Sequence, residues 1–206
     1  VEEWLKYATP ESLSLYQFQK PRVAKKLYFD VIPKAVDEYL TFLEKFPDEE
    51  AKQQIGNPVW HIHNGTPPSE TSPVSFALLL NLVSVANAET RDQLWGYISR
   101  YAPGSSAETH PLLDQLAGYA MAYYRDFVEP TKSYRAPDAQ ERAAMTDLAT
   151  RLRAWDGPVD QGELQTLVFS VGKDHEFENL RGWFQALYEV LLGQSQGPRF
   201  GGFIAL

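Results

Sequence analysis

The chain has 206 residues, of which 44% are apolar and 13% aromatic, with no cysteine and a formal net charge of −8. A chain of this length fits one large domain or two small ones and buries about two-thirds of its unfolded surface, so a true core is expected. The absence of cysteine excludes disulfides and thiolate metal sites, no apolar run approaches the roughly 20 residues of a spanning helix, and the acidic balance excludes a globally basic nucleic-acid binder but not a local cationic patch.

Helical periodicity dominates the chain. Trp4, Leu5 and Ala8 mark a short opening helix. Thr9 is placed to cap a second helix, with Pro10 in its first position and Leu13, Tyr16 and Phe18 as its apolar residues. Pro21 is expected to begin another helix through Val23, Ala24, Leu27 and Tyr28. After Pro33, the stripe Ala35, Val36, Tyr39, Leu40 and Leu43 predicts an amphipathic helix. Residues 47–73 break the period with prolines and glycines, and within them Val59-Trp60-His61-Ile62-His63 alternates before Asn64-Gly65. That alternation predicts a short strand running into a turn. Helices then resume from Pro73 to near Ala88, from Thr90 to near Tyr101 and from Thr109 to near Val128. Residues 129–137 read as a loop, Asp138 caps a helix reaching Trp155, and Asp160 opens the next. A last helix spans Glu178 to Leu192 and stops at Gly193, and Gly197 to Gly202 reads as a tight turn. The expected fold is mainly α, a helical bundle or cage with a small β element near residues 59–63. The proline-containing stretch near 103–111 divides it into regions 1–102 and 103–206.

Lys20, Arg22, Lys25, Lys26 and Lys34 fall close together, opposed only by Asp30. On a helix over 21–30, Arg22, Lys25 and Lys26 share one face by their i, i+3, i+4 spacing. Such a face can neutralise several phosphates, though a plain solvated face has the same pattern. His61 and His63 form an H-x-H pair that a strand would point to one side, as a metal site requires. Carboxylate partners are sparse around it, so histidines that merely hydrogen-bond a loop fit equally well and no metal is expected. Trp183, Phe184, Leu187, Tyr188 and Leu191 make an aromatic-rich helix, either a platform for unpaired bases or core packing. In Gly197-Pro198-Arg199-Phe200-Gly201 the glycines permit close approach and Arg199 can reach a phosphate or a carboxylate. The crowded apolar run Phe76 to Val85 reads as a core helix without chemistry. No nucleophile with a base, catalytic carboxylate pair or phosphate-cradling glycine loop stands out.

Several strings, in order, carry a resemblance: Glu3-Trp4-Leu5 with Ala8-Thr9-Pro10-Glu11-Ser12-Leu13, then Gln19-Lys20-Pro21 and Ala24-Lys25-Lys26-Leu27-Tyr28-Phe29-Asp30-Val31-Ile32-Pro33. Asn57-Pro58-Val59-Trp60-His61-Ile62-His63, Pro73-Val74-Ser75-Phe76-Ala77-Leu78-Leu79-Leu80-Asn81-Leu82, and Gly193-Gln194 with Gly197-Pro198-Arg199-Phe200-Gly201 follow. The set resembles the C-terminal half of class I lysyl-tRNA synthetases of the alphaproteobacterial type, across essentially the whole chain. The resemblance implies a stem-contact region over 1–102 and a helical anticodon-binding domain over 103–206. They would follow a catalytic domain that uses ATP and Mg to join lysine to tRNA(Lys). Neither class I catalytic signature lies in these residues, and there is no initiator Met. An internal piece is therefore expected, beginning just after the second signature and ending slightly short of the family's usual terminus. It would be inactive alone, hold no cofactor, and belong to a cytoplasmic monomer whose partners are tRNA(Lys) and its own catalytic domain.

Under the same resemblance, Lys20, Arg22, Lys25, Lys26 and Lys34 become candidate backbone contacts. Trp183, Tyr188, Arg199 and Phe200 become candidates for the anticodon end. Two other readings stand beside it: a metal-dependent enzyme built on His61 and His63, and a helical protein-interaction module with no RNA role.

Overall fold

The computed structural model describes residues 1–19, 21–86, 88–195, 197 and 199–205. The chain is 66% helical, with no strand among the described residues. It forms two compact units, Val1–Val128 and Glu129–Leu206.

In the first unit, a 3-10 turn at Trp4–Lys6 replaces the expected opening helix and precedes α1 (Pro10–Phe18). Thr9 caps α1 as its sequence predicts, its hydroxyl accepting from the Ser12 N–H at 3.2 Å. The next long helix, α2 (Ile32–Lys45), buries Ala35, Val36, Tyr39, Leu40 and Leu43, the stripe read from the sequence. Each fully buried aliphatic side chain of this kind contributes about 2 kcal/mol relative to leaving it in water. Two short helices follow, α3 (Ala51–Gly56) and α4 (Pro58–Ile62), then α5 (Phe76–Ala86), α6 (Arg91–Tyr101) and α7 (Pro111–Tyr123). A π turn, Tyr124–Val128, ends the unit. Both α1 and α5 pack on α2, and α6 and α7 both pack on α5. The expected division between residues 102 and 103 therefore falls inside this unit, in the connection between two helices that share one neighbour.

The small β element expected at 59–63 is a helix instead. Asn57, buried, accepts from the Val59 N–H at 3.0 Å and donates to the Phe42 carbonyl and to Glu49, while Pro58 takes the first helical position. This cap and proline set helical geometry at the start, and an alternation over five residues is too short to oppose it.

Two helices of the unit are capped from far along the chain. Asp37, on α2, accepts from the N–H groups of Phe76 and Ala77 at 2.6 and 3.1 Å. Glu70, in the connection before α5, accepts from the Leu112 N–H at 2.6 Å. Each carboxylate meets otherwise unpaired donors at a helix start, where the helix dipole also favours negative charge.

The second unit holds α8 (Ala139–Arg153), α9 (Gln161–Asp174), α10 (Leu180–Leu187) with a π turn at Tyr188–Leu192, and α11 (Phe200–Ile204). Asp138 and Asp160 cap α8 and α9 as expected. Gly193 ends the π turn with φ at +67°, a backbone state that favours glycine. Its core gathers Ala144, Leu148, Val168, Val171, Trp183, Leu187 and Phe200. The expected tight turn at the tail is instead α11, laid closely along α9. Gly201 allows this: a Cβ there would stand 2.1 Å from the Gln161 carbonyl oxygen. Arg135 clamps the unit, with a two-pronged pair to Glu141 at 2.7 Å and a third bond to Glu189 at 2.5 Å.

Candidate nucleic-acid interface

The helix expected over 21–30 does not form. After α1 the chain turns at 21–23 and runs without regular structure to Tyr28, so Arg22, Lys25 and Lys26 do not share a helical face. The local reason is Lys25. Its ammonium is drawn onto the carbonyl oxygens of Tyr16, Gln17 and Gln19 at the end of α1, and it lies 4.9 Å from the Tyr16 ring centroid. A cation at a helix C-terminus satisfies carbonyls that have no intrahelical partner and favours the negative dipole end. The Tyr16 hydroxyl completes the fastening by donating to the Lys26 carbonyl at 3.3 Å. At its far end the segment is held by Tyr123, whose hydroxyl donates to the Phe29 carbonyl at 3.2 Å.

The result is a tethered strap with one cation turned inward and two outward. Arg22 and Lys26 are exposed, and among the described residues neither has a carboxylate within ion-pair distance. Lys34, on α2, is exposed and stands 4.0 Å from Glu38, a surface pair worth about 0–1 kcal/mol. Lys25 and Lys34 line one cleft of about 420 Å³ with Tyr16, Val23, Asp30 and Glu38, so two carboxylates offset the two cations there. Lys20 lies outside the described residues.

His61 and His63 sit on and just after α4, where residues two apart do not share a side. A His61 ring nitrogen meets the Ile55 carbonyl at 2.8 Å and its ring stacks on Phe18, whereas His63 meets the Tyr39 hydroxyl at 3.2 Å. Burial holds the His63 imidazole below its ordinary range. Among the described residues, no three His, Cys, Asp or Glu groups gather as a metal site would require.

In the second unit the anticipated aromatic residues separate. Trp183 is 0% exposed and donates its indole N–H to the Val168 carbonyl at 2.9 Å, and Phe200 is 5% exposed. Both rings belong to the core and offer no face to a base. Tyr188 is half-buried against Phe200, with its phenol pushed up by burial, and Arg199 is exposed at the start of α11.

Beside them lies a cleft of about 410 Å³ lined by Gln165, Phe169, Phe184, Tyr188 and Arg199. Phe169 is 39% exposed and meets Phe184 edge to face at 4.9 Å. Phe184 belongs to the aromatic-rich helix read from the sequence, whereas nothing in the sequence alone points to Gln165 and Phe169. Gln165 and Phe169 on α9, and Phe184 and Tyr188 along α10 and its π turn, are both i, i+4 pairs that place one side of each segment on the cleft.

Residues 1–66 match the sequence model of a family described as tRNA synthetases class I (K). Over its full length the chain is 55% identical to a lysine–tRNA ligase of Roseobacter denitrificans, of which it spans 39%. It is 45% identical to lysine–tRNA ligases of Rickettsia felis and Rickettsia bellii, spanning 40% of each. The chain therefore covers about two-fifths of the length of these curated relatives.

Proposed function

We propose that this chain, 55% identical along its full length to a lysine–tRNA ligase and matching the class I (K) tRNA synthetase model over residues 1–66, is the tRNA-recognising portion of such an enzyme. The full-length identity to lysine–tRNA ligases carries the reading. In the longer protein, a catalytic part using ATP and Mg would join lysine to tRNA(Lys), and this chain would hold the RNA for it. The first unit contributes Arg22 and Lys26 from the strap and Lys34 from α2 as backbone contacts. Lys25 acts through them, by fastening the strap to α1 rather than by touching phosphate. The second unit takes the anticodon end, with Arg199 and the wall formed by Tyr188 as its contacts in place of the buried Trp183 and Phe200.

The test is binding of tRNA(Lys) to the purified chain across a salt series. Affinity is expected to fall steeply with salt, as counterion release requires. Reversing charge in the double variant Arg22→Glu, Lys26→Glu should weaken binding of any tRNA and flatten the log–log salt slope by about 2. Absence of tRNA binding at low salt, or an unchanged slope in the double variant, would remove the reading or its strap contacts respectively.

A further inference from the structure

We propose that Asn64 is a site of spontaneous modification: its side-chain amide converts to aspartate and isoaspartate through a ring closed by Gly65, at a rate set by the cap that ends α4. The inference stands apart from the RNA-binding reading above.

Asn64 is the one asparagine of the chain that glycine follows. It is exposed and comes directly after His63, the C-cap of α4. Its φ is +52° and that of Gly65 is +85°. Glycine takes such left-handed angles freely, whereas asparagine does so at some cost. The Asn64 N–H donates to the His61 carbonyl at 3.2 Å, and the Gly65 N–H donates to the Trp60 carbonyl at 2.8 Å. These two bonds close α4 as a Schellman cap, with asparagine where glycine usually sits.

The reaction needs only water. The Gly65 backbone nitrogen gives its proton to hydroxide and attacks the Asn64 Cγ. The N–Cγ bond forms, the Cγ–Nδ2 bond breaks, and ammonia leaves with a third proton from water, which regenerates hydroxide. Water then opens the cyclic imide at one of its two carbonyls. One opening gives aspartate, and the other gives isoaspartate, in which the backbone runs through the former side chain. Glycine at the second position presents no Cβ to crowd the attack. While the cap is closed, the Trp60 carbonyl holds the proton that must leave. The Trp60 ring also lies against Gly65, where a Cβ would stand 3.2 Å from it. Modification therefore proceeds through molecules whose cap has opened.

Both products weaken the cap. Each places a carboxylate at the negative end of the α4 dipole. Isoaspartate also adds a backbone carbon, which shifts the Gly65 N–H away from the Trp60 carbonyl. The effect does not stay at the surface, because α4 buries Val59 and packs on α1 and α2, and His63 meets the Tyr39 hydroxyl.

The experiment ages the whole chain in warm, mildly alkaline buffer, with and without unfolding guanidinium chloride. Peptide mass spectrometry and isoaspartate-specific enzymatic methylation locate the products. Unfolded, Asn64 is expected to convert well ahead of Asn81 and Asn179, each of which precedes leucine. Folded, it is expected to convert about thirtyfold more slowly, the worth of two net backbone hydrogen bonds, and still before those two. Chains converted at Asn64 should lose hydrogen-exchange protection at the α4 amides. Asn64→Gly, which suits the left-handed cap, should remove the modification and keep that protection constant with age. No conversion of folded Asn64, conversion of Asn81 or Asn179 ahead of it, equal rates folded and unfolded, or undiminished α4 protection after conversion would each overturn the proposal.

Discussion

Gly201 stands so close to α9 that a methyl group at its Cα would meet the Gln161 carbonyl oxygen at 2.1 Å. Backbone cannot yield as a side-chain tip can, so α11 must move away if residue 201 gains a Cβ. Gly201→Ala is therefore expected to cost about 3 kcal/mol, at the upper end of overpacking effects. Urea unfolding followed by hydrogen exchange of α9 amides reads the loss, and a midpoint within error of wild type would contradict it.

Lys25 and its neighbours on the strap are expected to separate in their effects. Lys25→Met removes charge-assisted bonds to the carbonyls ending α1 and should cost about 2 kcal/mol. Arg22→Met and Lys26→Met touch no described ion pair and should leave stability within about 0.5 kcal/mol. Thermal melts of the three variants, at one salt concentration, check the contrast. Equal melting temperatures for all three would show that Lys25 does not fasten the strap.

The clamp at Arg135 predicts a pH dependence. The Arg135 guanidinium holds the Glu141 carboxyl below its unperturbed 4.5, and it does the same to Glu189 with help from Gln185. A carboxyl with a lowered folded pKa binds fewer protons folded than unfolded. Its stabilisation is present above about pH 4.5 and is lost as pH falls through the lowered value. Protection of α8 amides against hydrogen exchange should fall between pH 5 and pH 3, and Glu141→Gln should begin low and vary less.

Asp37 has the opposite sign. Burial raises its carboxyl pKa, and the bonds from Phe76 and Ala77 pull only part of the way back. Its ionised form is thus costly in the fold, and its contribution to stability declines as pH rises through the raised value. Removing it is still expected to destabilise, because two helix-start donors lose their acceptor. Asp37→Ala should cost about 1–2 kcal/mol and Asp37→Asn less, as one acceptor oxygen remains. Denaturant midpoints for the pair at pH 7 test the order.

What the sequence made legible is mostly what is local. Thr9, Thr90, Asp138 and Asp160 begin their helices where their own side chains reach N–H groups two or three residues on. The α2 stripe and the stop at Gly193 are of the same kind. The strap was not legible, because the helical spacing of Val23, Ala24, Leu27 and Tyr28 is outweighed by the pull of the α1 carbonyls on Lys25. At 58–62 the five-residue alternation points to a strand, while the signals that prevail, Asn57 as cap and Pro58 in the first turn, lie just before it. At the candidate interface, aromatic content on α10 was visible but its facing was not. Which ring of Trp183, Phe184 and Tyr188 is buried depends on α9, where Phe169 and Gln165 lie, and a single segment read alone carries no record of its neighbour.

The hold of Glu70 on the start of α7 gives a stretch without regular structure a task that length alone does not describe. Residues between α4 and α5 look dispensable as a spacer, yet one of them serves a helix 42 positions downstream. An excision there would be felt first at Leu112, as fraying of a distant turn, rather than where the chain was cut.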